Sequence, residues 1–335
     1  MKLQKRRVGD LVNVGFMNNL SIMTNLEMRT VYAQTLIELA DKDNRIVLLE
    51  ADLMKASGTS IFKDIYPDRL FDLGVAEANM VGIAGGLSAG GKIPFATSFG
   101  CFASRRAYDQ FFISGNYAQL NIKLVGTDPG ISSAFNGGTH MPFEDLGIMR
   151  NIPKLIVFEP SDPISLRKLI QKSAVHYGCT YMRLHRKHIE EIYSQNEDFE
   201  LGKGKVLKDG SDVTIIAIGA IMVPEAIKAS AILEQEGISV ALIDMHTIKP
   251  IDIELVLHYA RKTESIVTCE NHQVINGLGS AVAEVLAENY PVIMKRIGIN
   301  DAFGEVGTQN ELQEKFQLTA ANIVNQVKEI LNKKK

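Results

Sequence analysis

The sequence predicts an α/β protein made of two doubly wound α/β domains, and three observations carry that reading. Strand-length apolar runs alternate with helical patterns along the chain, the order that builds largely parallel sheets between helices. The alternation stops at a polar stretch, 186–201, and then starts again. At 335 residues the chain is long enough for two domains with full cores.

In the first half, strands are expected at 45–49, 70–73, 93–97, 122–126, 155–159 and 180–184. Helical spacing lies between them at 27–40, 76–89, 103–116 and 163–176. The segment 127–142 is long, rich in Gly and Ser and free of periodicity, and such loops inside compact domains usually serve function. After the polar stretch come a strand at 213–217, a helix at 223–235, a strand at 239–243 and a helix at 252–260. A strand at 266–270, a helix at 278–288, a short strand at 292–296 and a last helix at 320–331 complete the chain. The expected boundaries are a first domain over 24–186, a linker over 187–204 and a smaller second domain over 205–335. Residues 1–23 are expected to be a loose leader: the basic start MKLQKRR runs into Asp10, Asn13, Asn18 and Asn19, not into the apolar core of a signal peptide.

Composition sets limits on partners. A net charge of −3 supplies no general attraction to nucleic acid or to an anionic membrane. No run approaches the roughly 18 apolar residues of a membrane span. Cys101, Cys179 and Cys269 are odd in number, widely spaced and without metal-ligand spacing, so reduced thiols in a cytoplasmic protein are expected.

The chemistry concentrates in 71–106, FDLGVAEANMVGIAGGLSAGGKIPFATSFGCFASRR. Glu77 stands after a short strand, where an Ala/Gly-rich helix begins, and the next strand ends in Phe99 and Phe102. Two aromatic faces and one carboxylate suit a flat heteroaromatic ring with a nitrogen to hydrogen-bond. Residue type alone leaves plainer readings open: a carboxylate favoured by the helix dipole for Glu77, and ordinary core packing for the phenylalanines.

Eight segments in order resemble the C-terminal two thirds of transketolase, a thiamine diphosphate enzyme family, over about Glu27 to Leu331. They are MRTVYAQTL, LLEADL, GVAEANM, TSFGCF, GGTHMPFED, VFEPSD, ENHQVINGLGSAVAEVL and FGEVGTQNELQEKFQLT. The resemblance implies a thiamine diphosphate-binding (pyrimidine) fold followed by the transketolase C-terminal domain. By the same resemblance Glu77 hydrogen-bonds N1′ of the aminopyrimidine, Phe99 and Phe102 pack that ring, and Val75 supports the bent shape of the cofactor. His140 matches the histidine that contacts hydroxyls at the reacting end of the donor; Arg29 and Arg186 match arginines that bind the terminal phosphate. A loop-stabilising role for His140 and surface pairing for Arg29 remain the plain alternatives.

The family's Gly-Asp-Gly motif for magnesium and diphosphate has no match here; Lys208-Asp209-Gly210-Ser211 lies in the wrong domain. The resemblance therefore implies the C-terminal subunit of a split transketolase. An N-terminal partner would bring the diphosphate site with Mg2+ or Ca2+, in an α2β2 assembly. Three departures bear on the substrate: Asn136 replaces a sugar-binding Asp, Asp128 replaces a phosphate-binding His, and Glu50 falls where a serine is read at the phosphate site. Carboxylates repel a phosphate. Either they neutralise Arg29 and Arg186, or the far end of the ketose is unphosphorylated, branched or otherwise modified. The competing readings are a deoxyxylulose-phosphate-synthase-like enzyme, the β subunit of a 2-oxo acid dehydrogenase, and a non-catalytic assembly paralogue. Glu270 and His272 invite an acid–base or metal reading, but residues at strand ends more often serve turns and caps.

Overall fold

The computed structural model of the chain describes residues 26–334, so the leader expected at 1–23 lies outside the described residues. Its strands, in chain order, are β1 (Ile46–Glu50), β2 (Leu70–Asp72), β3 (Ile93–Phe99), β4 (Lys123–Thr127), β5 (Ile156–Phe158) and β6 (Thr180–Leu184). There follow β7 (Lys205–Lys208), β8 (Val213–Ala217), β9 (Val240–Asp244), β10 (Thr247–Lys249), β11 (Ser265–Gln273) and β12 (Ile293–Ile299). One sheet has the order β10-β5-β6-β4-β3-β1-β2 and the other β12-β11-β8-β9-β7. Every pairing is parallel except β10 on β5 and β7 on β9. The expected two-domain α/β architecture is present. Among the described residues no helix is long and apolar enough to cross a membrane.

The central strands read clearly in sequence because helices cover both faces of a parallel sheet and demand continuous apolar runs. All five residues of β1, β4, β6, β8 and β9 are buried. What sequence reading omitted is short or partly exposed. The strand β10 has three residues, β7 is a half-exposed edge, and the helices Met54–Ser57, Ser60–Ile65, Asp145–Arg150 and Gln309–Lys315 span one or two turns. Segments of that length show no measurable period. The helix expected at 103–116 is instead Gly100–Arg105, a turn at Tyr108–Gln110 and a π-helix at Phe111–Tyr117. Apolar spacing continues through the break, so periodicity does not register it.

The two domains are joined by more than a linker. Through β10 the second half of the chain adds a strand to the first sheet, and one apolar cluster runs from Leu146, Met149 and Val157 to Met245, Ile248 and Val282. The polar stretch after β6 is irregular but anchored. Asp162, which caps the helix Pro163–Val175, also accepts the amides of Ile192 and Tyr193, and the side chains of Tyr193 and Phe199 are buried.

At the junction sits Arg183 of β6, fully buried. Its guanidinium pairs with Asp145 and Glu159, each at 2.9 Å, and donates to the carbonyls of Pro142 at 3.0 Å and Asn271 at 3.1 Å. Tyr181 adds a hydroxyl hydrogen bond to Asp145 at 2.7 Å. A buried charge is tolerable only with such a complete set of partners. Arg183→Leu strands two buried carboxylates and is expected to lower the unfolding free energy by about 3–5 kcal/mol in urea titrations. A loss below about 1 kcal/mol would show that the carboxylates find other partners.

Candidate active site

The carboxyl ends of the adjacent strands β1, β3, β4 and β6 deliver the predicted residues to one edge of the first sheet. Glu77 opens the helix Glu77–Ala89 and is only 3% exposed. Its carboxylate accepts from the Ser98 hydroxyl at 3.3 Å and lies 3.4 Å from the Arg106 guanidinium, both long contacts. Phe99 ends β3 and caps the helix Gly100–Arg105, and Phe102 stands one turn further on. Their ring centroids are 6.0 Å apart with an interplanar angle of 42°. His140 places its ring edge-on to both, 5.2 Å from Phe102 and 6.0 Å from Phe99. Thus Glu77, Phe99, Phe102 and His140, spread over 64 positions from 77 to 140, form one cluster.

The loop carrying His140 is held from several sides. It forms two 3-10 turns, Gly130–Asn136 and Gly138–His140, separated by Gly137 at φ +77°. Ser133 donates to the carbonyl of His140 at 2.6 Å and to that of Asp128 at 3.0 Å. Asn271, from β11 of the second domain, accepts the amide of Ile131 and donates to the carbonyl of Pro129. Gly138 lies so close to Gly304 that any Cβ there would run into the Gly304 carbonyl. Asn136 is exposed and makes no side-chain hydrogen bond among the described residues, and Val75 is 70% exposed.

Next to the aromatic pair is a basic corner. Arg29 and Arg186 converge on the carbonyl of Ala56, at 3.3 and 3.1 Å. The guanidinium of Arg186 also lies 5.3 Å from the Phe99 ring. Each arginine already has a carboxylate partner: Arg186 with Asp128 at 2.7 Å, and Arg29 with Glu27 at 2.6 Å. Asp128 is buried in a left-handed backbone conformation, φ +57°, with one carboxylate oxygen unpartnered. Burial pushes its carboxyl upward from the usual range, and Arg186 draws it back.

Glu50 requires a correction. It presents no exposed carboxylate to the basic corner: it is fully buried, and one oxygen accepts from the hydroxyls of Ser57 and Thr59, each at 2.6 Å. Burial pushes its carboxyl up to about 8, so at neutral pH it is mostly the neutral acid and presents no charge to a substrate. The residues that hold it lie seven and nine positions downstream in turns that sequence periodicity does not reveal.

The second-domain pair has structural duties. Both oxygens of Glu270 accept amides at the start of the helix Leu278–Asn289, from Leu278 at 2.6 Å and Gly279 at 2.8 Å. His272 accepts the amide of Gly147 at 3.2 Å and donates to the carbonyl of Gln273 at 2.7 Å. The amides of Leu278 and Gly279 are therefore taken up by the Glu270 carboxyl group. Sequence reading passed over Arg106, Arg183 and Asn271. Arg106 had a signal, since it follows Phe102 by four residues on a helical segment. Arg183 meets partners 24 to 88 positions away and Asn271 meets the site loop 140 and 142 positions away, and neither had one.

Titration gives a test of the Glu50 assignment. Below about pH 4.5 this carboxyl is protonated in both states, and between that and its folded value near 8 only the unfolded chain ionises. The folded state then binds more protons, so this group makes stability fall as pH rises across that window. Glu50→Gln removes the slope. Urea unfolding should show the variant gaining on the parent from about pH 5 to about pH 8, with turnover little changed. An advantage that does not grow with pH would mean that Glu50 is ionised in the folded protein.

Comparison with known proteins agrees with this fold. The family model for the transketolase pyrimidine-binding domain matches residues 24–191, and that for the transketolase C-terminal domain matches residues 202–323. The chain is 51% identical over 307 residues to the 6-deoxy-6-sulfo-D-fructose transketolase subunit SqwH of Clostridium sp. (strain MSTE9), covering 92% of this chain and 95% of that one. It is 43% identical over 309 residues to a putative transketolase C-terminal section of Methanocaldococcus jannaschii, covering 91% and 96%. A solved split-gene transketolase, described as an inactive β4 tetramer, superposes with a TM-score of 0.86 at 44% identity, covering 92% of this chain and 99% of that one. The chain belongs to the transketolase family and spans its pyrimidine-binding and C-terminal domains.

Proposed function

We propose that this chain is the C-terminal subunit of a split transketolase that moves a two-carbon ketol unit from a modified ketose to an aldose. The observation that carries the reading is the single cluster of Glu77, Phe99, Phe102 and His140. A buried carboxylate with only long contacts, beside two half-buried aromatic faces, fits an aminopyrimidine ring. Among the described residues no group of three or more His, Cys, Asp or Glu side chains could hold a metal ion. The reading assigns the diphosphate and its Mg2+ or Ca2+ to an N-terminal partner in a heterotetramer.

When bound, thiamine diphosphate supplies a carbanion at the thiazolium ring. The residues of this chain prepare the site for it. Glu77 would hold a hydrogen bond at N1′, in a position fixed by burial. Phe99 and Phe102 orient the ring and exclude water. His140, edge-on to both rings, would meet the hydroxyls at the donor's reacting end and handle a proton there. Val75 and Asn136, on exposed segments, are assigned to the rim, supporting the cofactor and meeting sugar hydroxyls respectively.

The basic corner bears on the far end of the donor. A phosphate monoester carries close to two negative charges at neutral pH and a sulfonate carries one. Arg186 is committed to Asp128 and Arg29 to Glu27, so neither arginine brings an uncompensated positive charge to the corner. This suits a singly charged or neutral terminus better than a phosphate. The relative that shares 51% identity is named for a sulfonated ketose. A 6-deoxy-6-sulfoketose donor is the substrate class this reading selects.

The test is reconstitution with the Gly-Asp-Gly-bearing partner, thiamine diphosphate and magnesium. Ketol transfer to an aldose acceptor is expected, with no consumption of pyruvate. Glu77→Ala should leave assembly intact and lower kcat by about 10²–10⁴-fold. Undiminished turnover in that variant would return the chain to the non-catalytic reading. Asp128→Asn releases Arg186 and removes a negative charge. It is expected to shift the ratio of kcat/KM toward phosphate-ended donors by about tenfold, and an unchanged ratio would detach Asp128 from specificity.

A further inference from the structure

Arg106 holds the two surfaces that the cofactor's pyrimidine needs. Its guanidinium carbon lies 3.9 Å from the centroid of the Phe102 ring, and one nitrogen reaches both Glu77 oxygens at 3.4 and 3.5 Å. A planar cation stacked on an aromatic face, with its edge toward a carboxylate, has the same contacts as a stacked heteroaromatic ring with a nitrogen on its edge. We infer that Arg106 holds the place of the pyrimidine ring while the site is empty of it, and that ring entry expels this side chain. The inference rests on the transketolase reading above.

Three features fit a placeholder better than a permanent partner. The contacts with Glu77 sit at the long limit of hydrogen bonding, so they are weak. The Arg106 side chain is 51% exposed against 3% for Glu77, so the arginine can withdraw into water while the carboxylate cannot. Arg106 also caps the end of the helix Gly100–Arg105, just before the helical path breaks at Ala107, φ −105°, ψ 8°. The arrangement answers a physical need. A buried carboxylate short of partners is costly, and without Arg106 the long contact from the Ser98 hydroxyl would be the only side-chain hydrogen bond to Glu77 among the described residues until the ring arrives. Arg106 supplies a temporary counter-charge that exchanges for the ring's own hydrogen-bond donor.

The experiment compares the parental complex with Arg106→Ala and Arg106→Gln, each assembled with the partner subunit and stripped of cofactor. Thiamine diphosphate with magnesium is titrated by calorimetry, and its entry is followed by stopped-flow near-ultraviolet circular dichroism. Both variants are expected to bind faster and about two- to five-fold tighter at low salt. That advantage should shrink as added salt screens the arginine–glutamate pair in the parent. Gln keeps a polar donor on a shorter chain without the charge, so it serves if the Ala variant fails to assemble. Equal or weaker binding by the variants at low salt would overturn the inference and make Arg106 part of the loaded site. No binding by parent or variants would overturn the thiamine diphosphate reading itself, and this inference with it.

Discussion

The structure depends on one buried charge. Arg183 lies in the middle of the first sheet, where a cation survives only if every donor is used. Its partners are the strand end at Glu159, the short helix at Asp145, the last residue of the site loop's approach at Pro142 and the second-domain strand at Asn271. Satisfying this guanidinium therefore sets the second domain against the loop that carries His140. The side chain of Asn271, whose carbonyl Arg183 holds, in turn grips the start of that loop through Ile131 and Pro129. The second domain has no catalytic residue that the geometry supports, yet it determines where His140 stands.

The site's components were readable in sequence and its wiring was not. Glu77, Phe99 and Phe102 stand out as a carboxylate and two aromatics at strand ends, and the roles of all three and of His140 follow from the resemblance to transketolase. Parallel strands covered on both faces were equally plain as apolar runs. Glu50 went astray because its sequence position gives no hint that Ser57 and Thr59 turn back beneath it. Asp128 and Arg186 are 58 positions apart, so neutralisation of the arginine could be posed from sequence but not decided. Periodicity reports burial of a face. It does not report which charged groups meet across a sheet edge.

The electrostatics of the basic corner follow from that wiring. Two arginines converge on one carbonyl, a layout suited to an anionic group, yet each brings a carboxylate with it. Such a corner can orient an anion through directional hydrogen bonds while offering modest net attraction. A doubly charged terminus would also meet the Asp128 carboxylate close by. Glu50, buried and mostly neutral, adds little charge at neutral pH.

The most direct test compares two donors that differ only at their far end. The reconstituted complex would be given 6-deoxy-6-sulfo-D-fructose and fructose 6-phosphate as alternative ketol donors to the same aldose, and kcat/KM measured for each. The paired arginines predict a clear preference for the sulfonate. A preference for the phosphate would contradict the account, because it would mean that Asp128 and Glu27 leave Arg186 and Arg29 free to act as an ordinary phosphate clamp.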